Sequence, residues 1–348
     1  MSKKVGVVKG DIFLRHDTGW GHPETSERLV AIYEMLDQSG FSKELEDLKL
    51  KRASKHEVCL VHSEHLFESV EETASHSQSY MDGDTPASPE SFEAALYAAG
   101  STAELAEKVL AGEMKSGFAL VRPPGHHAER DRAMGFCLFN NIAIAAANAL
   151  HKKLAKKIAI IDFDVHHGNG TQNSFYNTDQ VLYFSSHRYP FYPGSGHFSE
   201  VGQGKGEGFT INVPIPGGMG DHEYDAVYTK ILMPIVREYH PDIIMVSAGF
   251  DAFHQDPLGG MGMTEHGYRR LASIFIELAE ELCSGRLVFV LEGGYSIDGS
   301  ARCVQEIFAL LLGKKELAKK TGKPADGFER LLHEVHKYHK SYWKELKI

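Results

Sequence analysis

The chain has 348 residues, 42% of them apolar, which is enough for a large core. Lys and Arg total 37 against 47 Asp and Glu, and a net charge of −10 argues against nucleic-acid binding, because a phosphate backbone is drawn to basic surface. Four cysteines (Cys59, Cys137, Cys283, Cys303) form no C-x-x-C pair and are too few for a disulfide framework, so reduced, buried thiols in a cytoplasmic protein are expected.

The start MSKKVGVVKG holds only a brief apolar run and reads as no signal peptide, and no stretch of 18 apolar residues could span a membrane. In chain order, apolar β-rich runs predict strands at Val5–Val8, Phe118–Val121, Ile158–Phe163, Val181–Phe184, Phe209–Val213, Ile243–Ser247 and Leu287–Leu291. Between them, helical patterning covers Ser91–Leu110, Asn141–His151, Tyr224–Tyr239 and Gly267–Leu282. The polar segment Ser75–Glu90 reads as a long surface loop, and Lys314–Ile348 as a charged helical tail. Alternation of continuous apolar strands with amphipathic helices predicts a parallel sheet covered on both faces, α/β in class. No repeat and no Pro/Ser-rich break interrupts it, so residues 1–348 read as one domain.

Five of these strands run into polar, Gly-rich loops: RPPGHH, DVHHGNG, HRYPFYPGSG, GFDAF and GGYS. In open parallel sheets the site lies beyond the carboxyl ends of the strands, so five segments converge on one cleft. Within them Asp162, Asp164 and His166 alternate along an extended segment and share a face. Asp164 and His166 can grip one ion, with Asp251 the best third ligand. One His and two carboxylates leave a position open for water, as catalytic zinc requires. The competing reading is that these are turn and cap residues of a βα loop.

His126 and His127 follow Pro-Pro-Gly at a strand end. A histidine can serve as base and then as acid because it titrates near neutrality. Asp162 and Asn169 are candidates for orienting the histidines. Tyr295, behind Gly293 and Gly294, could stabilise a tetrahedral oxyanion, although taken alone it reads more readily as a core or rim aromatic. Phe136 and Tyr192, in Gly-flanked loops, read equally as walls of a narrow channel or as ordinary packing.

RPPGHHAERDRAMGFCLFNNIAIAA, IDFDVHHGNGTQ, FYPGSG, SAGFDAFHQDPLGG and LEGGYS together resemble the zinc-dependent histone deacetylase family, which includes acetylpolyamine amidohydrolases. The resemblance runs from about Gly21 to Leu312 and looks like the class II and bacterial branch, marked by Pro-Pro-Gly, Asn169 and Glu292. It implies an arginase/deacetylase fold, a central eight-stranded parallel sheet flanked by helices. It implies one Zn2+ on Asp164, His166 and Asp251, His127 as base and then acid, and His126 paired with Asp162. Tyr295 would polarise the acyl carbonyl, with Phe136 and Tyr192 beside the acyl-lysine channel. It also implies K+ near Asp162, Asp164, His166, Ser185 and Ser186, a second monovalent site at the Phe175, Thr178 and Val181 carbonyls, and Arg28 near an acetate exit.

Two departures sharpen the reading. Class I members carry aspartate where this chain has Asn169, whose dipole would raise the His127 pKa less. Polyamine-selective relatives carry a glutamate after Asp-Pro, where Leu258 stands here, which favours an apolar acyl-lysine stem. A dinuclear ureohydrolase would need carboxylates at Gly168 and Phe253. No G-x-S-x-G elbow supports a serine hydrolase, and the glycines of VGQGKGEGF lead into a strand, so they are no dinucleotide fingerprint. A pseudoenzyme would be expected to lack a ligand, the base or the tyrosine. The expected function is zinc-dependent hydrolysis of N-acetyl or short-acyl amides. The expected partners are an acylated lysine peptide or protein, or, as the alternative, an acetylpolyamine or other small acylated amine. No nucleic acid or membrane is expected, and the oligomeric state is left open.

Overall fold

The computed structural model describes residues 4–347, so Met1–Lys3 and Ile348, at the ends of the expected domain and tail, lie outside the described residues. Among the described residues there are ten strands: β1 (Lys4–Val8), β2 (Glu46–Asp47), β3 (Ser79–Tyr80), β4 (Pro86–Ala87), β5 (Met114–Ala119), β6 (Ile158–Asp162), β7 (Val181–Arg188), β8 (Thr210–Ile215), β9 (Ile243–Ala248) and β10 (Leu287–Leu291). Eight form one sheet in the order β2-β1-β5-β10-β9-β6-β7-β8, with every pairing parallel. β6, β9 and β10 are buried at every residue, which a strand shows only when both faces are covered. Each fully buried Ile or Val in them contributes about 1.5–3 kcal/mol.

The helices pack in two groups. Ser91–Leu110 lies on Asn141–His151, while Glu27–Gln38, Glu265–Cys283 and Ile297–Leu311 pack together. Their boundaries follow local chemistry. The Asn140 side chain accepts from the Ala143 N–H, and the Thr264 hydroxyl accepts from His266 and Gly267.

Several boundaries differ from expectation. β2 has two polar residues and no apolar run to reveal it. β5 begins at Met114 and ends at Ala119, so Leu120 and Val121 belong to the loop toward the histidines. The helix expected over Tyr224–Tyr239 starts at Asp221 and carries a π turn at Tyr228–Leu232. Segment Ser75–Glu90 contains the β3–β4 hairpin, and its Thr85 is buried, so it is more than a surface loop. Among the described residues of the tail only Glu329–His339 is helical, and the segment docks through buried Leu332, Val335, Trp343 and Leu346. All four cysteines are free, and Cys59 is only partly buried.

Candidate metal centre and catalytic cleft

The ends of β5, β6, β9 and β10 lie side by side in the middle of the sheet, so their loops share one cleft. Asp162 closes β6, and Asp164 and His166 follow in its loop. Asp251 comes from the loop after β9. His166 Nδ1 lies 3.2 Å from Asp164 Oδ1 and 3.1 Å from Asp251 Oδ2. All three residues are buried, and one ligand atom from each lies within 4.8 Å of the others. The backbone locks the carboxylates in place: Gly293 N–H donates to Asp164 Oδ2 at 2.9 Å, and Val165 N–H to Asp251 Oδ1 at 2.8 Å.

The electrostatics ask for a cation. Burial, and then the negative charge of Asp164, push the Asp251 carboxyl up to about 7. Burial opposes ionisation of Asp164 too, but His126 and His166 hold it well below the usual carboxylate range. Two buried acids and an imidazole nitrogen converging on one point fit a divalent metal with N/O ligands. Neither position at which a second divalent ion would need a carboxylate supplies one, since these are Gly168 and Phe253. A Cβ on Gly168 would strike Asp162 Oδ2 and the Tyr183 hydroxyl, and Phe253 is fully buried in the core.

The two adjacent histidines separate by partner. His126 Nδ1 lies 3.1 Å from Asp162 Oδ2, while His127 Nδ1 lies 2.8 Å from Asn169 Oδ1. Asn169 Nδ2 donates to Glu129 Oε1 at 2.8 Å. A carboxylate only accepts, so Glu129 turns the amide oxygen toward His127, whose Nδ1 must carry the proton. Its Nε2 is the end left for the cleft. Burial works against protonation of His126, but Asp164 and Asp162 outweigh it and push the ring up to about 10. For His127, burial and then the charges of His126 and His166 hold the ring well below its ordinary value, so it stays neutral.

A cavity of about 200 Å³ opens over the cluster, lined among others by His127, His166, Tyr295, Phe136, Tyr192 and Leu258. Tyr192 meets the His127 ring edge-on at 5.1 Å, and Phe136 meets Tyr295 at 5.8 Å. Phe136 sits at φ 69°, a conformation costing about 1–3 kcal/mol for a non-glycine residue, held by a 3.0 Å bond from its N–H to the Thr85 hydroxyl. Burial, and then the Asp251 charge, raise the Tyr295 phenol well above its ordinary value, so it remains a donor.

Arg28 lies under the Tyr295 ring at 5.1 Å and donates to the Gly294 carbonyl at 2.6 Å and the Glu292 carbonyl at 2.5 Å. Ser185 is in register with Asp162, and the Ser186 hydroxyl pairs with Tyr228 at 2.8 Å. Phe175, Thr178 and Val181 lie apart from the cluster, around the beginning of β7.

Sequence reasoning assigned no role to several residues that build this site. Glu24 joins Arg122 and Arg28. The Asp256 carboxylate accepts the Tyr295 N–H at 2.7 Å, tying the Asp251 loop to the tyrosine. Tyr183, Glu129, Asp84 and Phe191 complete the walls and supports. For Glu24 and Arg28 the one signal available was their spacing of four, Glu24 lying just before the helix Glu27–Gln38 and Arg28 in its first turn.

A histone deacetylase domain model matches residues 22–311. The chain belongs to the histone deacetylase family. It is 41% identical to histone deacetylase 5 of Arabidopsis thaliana over 99% of this chain and 54% of that protein. It is 41% identical to a probable deacetylase of Archaeoglobus fulgidus over 85% of this chain and 82% of that one. Human histone deacetylase 7 is 38% identical over 97% of this chain and 39% of its own length. Histone deacetylases 5 and 18 of Arabidopsis are matched over 54% and 53% of their lengths, so the chain spans about half of each. The crystal structure of the HDA15 HD domain superposes with a TM-score of 0.93 at 37% identity, over 99% of this chain and 97% of that one. The fold is therefore that of the deacetylase domain. Among the described residues, no helix is long and apolar enough to cross a membrane.

Proposed function

We propose that the chain is a zinc-dependent deacetylase, one catalytic domain that hydrolyses N-acetyl or short-acyl amides, with acyl-lysine in a peptide or protein as the substrate. The observation that carries this reading is the meeting of His127, Tyr295 and His166, one member of the buried Asp-His-Asp cluster, on the wall of one cavity of about 200 Å³. Asp164, His166 and Asp251 would hold the zinc. Bound there, zinc supplies Lewis acidity to an acyl carbonyl and to the attacking water.

The chain's own groups handle the protons. His127, with Nδ1–H spent on Asn169, takes a proton at Nε2 as the water oxygen bonds to the carbonyl carbon. The Tyr295 hydroxyl donates to the oxyanion that forms. His127 returns its proton to the nitrogen as the C–N bond breaks, releasing the amine and the carboxylic acid, whose remaining proton passes to the amine in solution to give carboxylate and ammonium. His126, charged beside Asp162, supports the negative charge that develops. Phe136 and Tyr192 flank the acyl-lysine stem, and Leu258 gives the mouth an apolar edge.

K+ is assigned to Asp162, Asp164, His166, Ser185 and Ser186, with a second monovalent ion on the Phe175, Thr178 and Val181 carbonyls. The register of Asp162 with Ser185 supports the first. Arg28 is assigned to the acetate path beneath Tyr295. Four free cysteines suit a reducing compartment such as the cytoplasm. Side-by-side turnover of an acetyl-lysine peptide, an acetylpolyamine and longer acyl-lysines tests the substrate. The peptide should be preferred, and preference for the polyamine would overturn that part of the reading.

A further inference from the structure

Glu292 follows β10 and is 0% exposed. Its Oε2 accepts from the N–H groups of Gly125, at 2.7 Å, and His126, at 3.1 Å. Its Oε1 accepts from the Ser247 hydroxyl at 3.1 Å. Its N–H donates to the Ala248 carbonyl at 3.0 Å, and its own carbonyl takes the 2.5 Å bond from Arg28. One residue thus ties together the ends of three neighbouring strands, β5, β10 and β9, and the first long helix.

Every donor to the carboxylate is an uncharged group. Burial makes an ionised carboxyl costly there even with the His126 ring nearby to offset part of it, so packing by itself does not account for an acid at this position. The loop it touches needs restraint. Pro123 and Pro124 have no N–H to offer, so Gly125 carries the first main-chain donor after Arg122. On the other side, the Thr171 N–H donates to the His126 carbonyl at 3.1 Å. The His126 peptide is therefore gripped between Glu292 and Thr171, one residue from the ring that meets Asn169.

We infer that Glu292 is a positioning residue for the histidine pair: its carboxylate clamps the Gly125 and His126 N–H groups, and this fixes His127 against Asn169 with Nε2 directed into the cleft. For its activity readout the inference rests on the deacetylase reading above. Gln can make the same clamp, because its amide oxygen accepts both N–H groups and its NH2 donates to Ser247. Ala cannot.

The test compares Glu292→Gln and Glu292→Ala for turnover of an acetyl-lysine peptide, zinc content, and the ¹⁵N shifts of the His127 ring. Glu292→Ala should lower kcat about 10- to 100-fold, since a loosened catalytic group loses its alignment. KM should stay within about threefold, with zinc still bound and the His127–Asn169 signature lost. Glu292→Gln should keep kcat within about threefold, with an unchanged pH profile and an intact His127 signature. Should the Ala protein not fold, Glu292→Met, which fills the space without an acceptor, is read on the same scale. Equal losses in Gln and Ala, or full kcat in Ala, would overturn the inference. An inactive wild type would sink the deacetylase reading alone, because the His127 shifts still decide whether the clamp exists.

Discussion

His127 Nδ1 lies 2.8 Å from Asn169 Oδ1, and the other end of that amide is held at 2.8 Å by Glu129. A neutral dipole therefore orients the proposed base. An amide lets the ring release its proton more readily than a carboxylate would.

Asn169→Asp should place a negative charge against Nδ1–H, favour the imidazolium and raise the His127 pKa. The base works only when neutral, so the acidic limb of the kcat/KM profile should move to higher pH. Asn169→Ala should remove the orientation and lower kcat about 10- to 100-fold. The pH–rate profiles of the three proteins check both outcomes, and superimposable acidic limbs for Asn and Asp would contradict the assignment.

Tyr295→Phe keeps the ring contacts with Phe136 and Arg28 but removes the donor. We expect kcat to fall about 10²- to 10³-fold with little change in KM, as for loss of an oxyanion donor. Steady-state kinetics on an acetyl-lysine peptide decide this.

Leu258 lies on the cavity wall seven residues past Asp251. Leu258→Glu should raise the ratio of kcat/KM for an acetylated polyamine to that for an acetyl-lysine peptide, because a carboxylate at the mouth attracts a cationic stem. An unchanged ratio would remove Leu258 from the selectivity argument.

Metal-free protein should show a pH signature of its own. The Asp251 carboxyl stands at about 7 when folded against an ordinary 3.8, so the folded state holds the proton more tightly than the unfolded one. That stability is fully present below 3.8 and is lost as pH rises toward 7. Asp251→Asn should abolish this part of the slope. Adding zinc to the wild type at about 1,000 times its Kd should restore about 4 kcal/mol. Thermal melts across pH, with and without zinc, measure both effects.

Much of this was legible in the sequence because the central strands are continuous apolar runs ending in histidine, aspartate or tyrosine. Asp164, His166 and Asp251 stand close in one segment or at a strand end, so spacing and strand position were enough to single them out. β2 was not legible, since Glu46 and Asp47 pair at an edge without apolar side chains. The π turn at Tyr228–Leu232 leaves the helical period nearly intact, so no sequence pattern marks it. Glu129, Glu292 and Asp256 act through hydrogen bonds to segments distant in the chain, which a local pattern cannot carry. The hairpin in Ser75–Glu90 is two residues per strand, and its polar Thr85 is buried by contacts with the Phe136 loop.

The most direct test of the central claim is hydrolysis of an acetyl-lysine peptide before and after metal removal, with metal content measured on the same samples. We expect about one zinc per chain, loss of turnover on chelation, and recovery on adding zinc to the wild type but not to Asp164→Ala or Asp251→Ala. Full turnover in metal-free protein would contradict that claim.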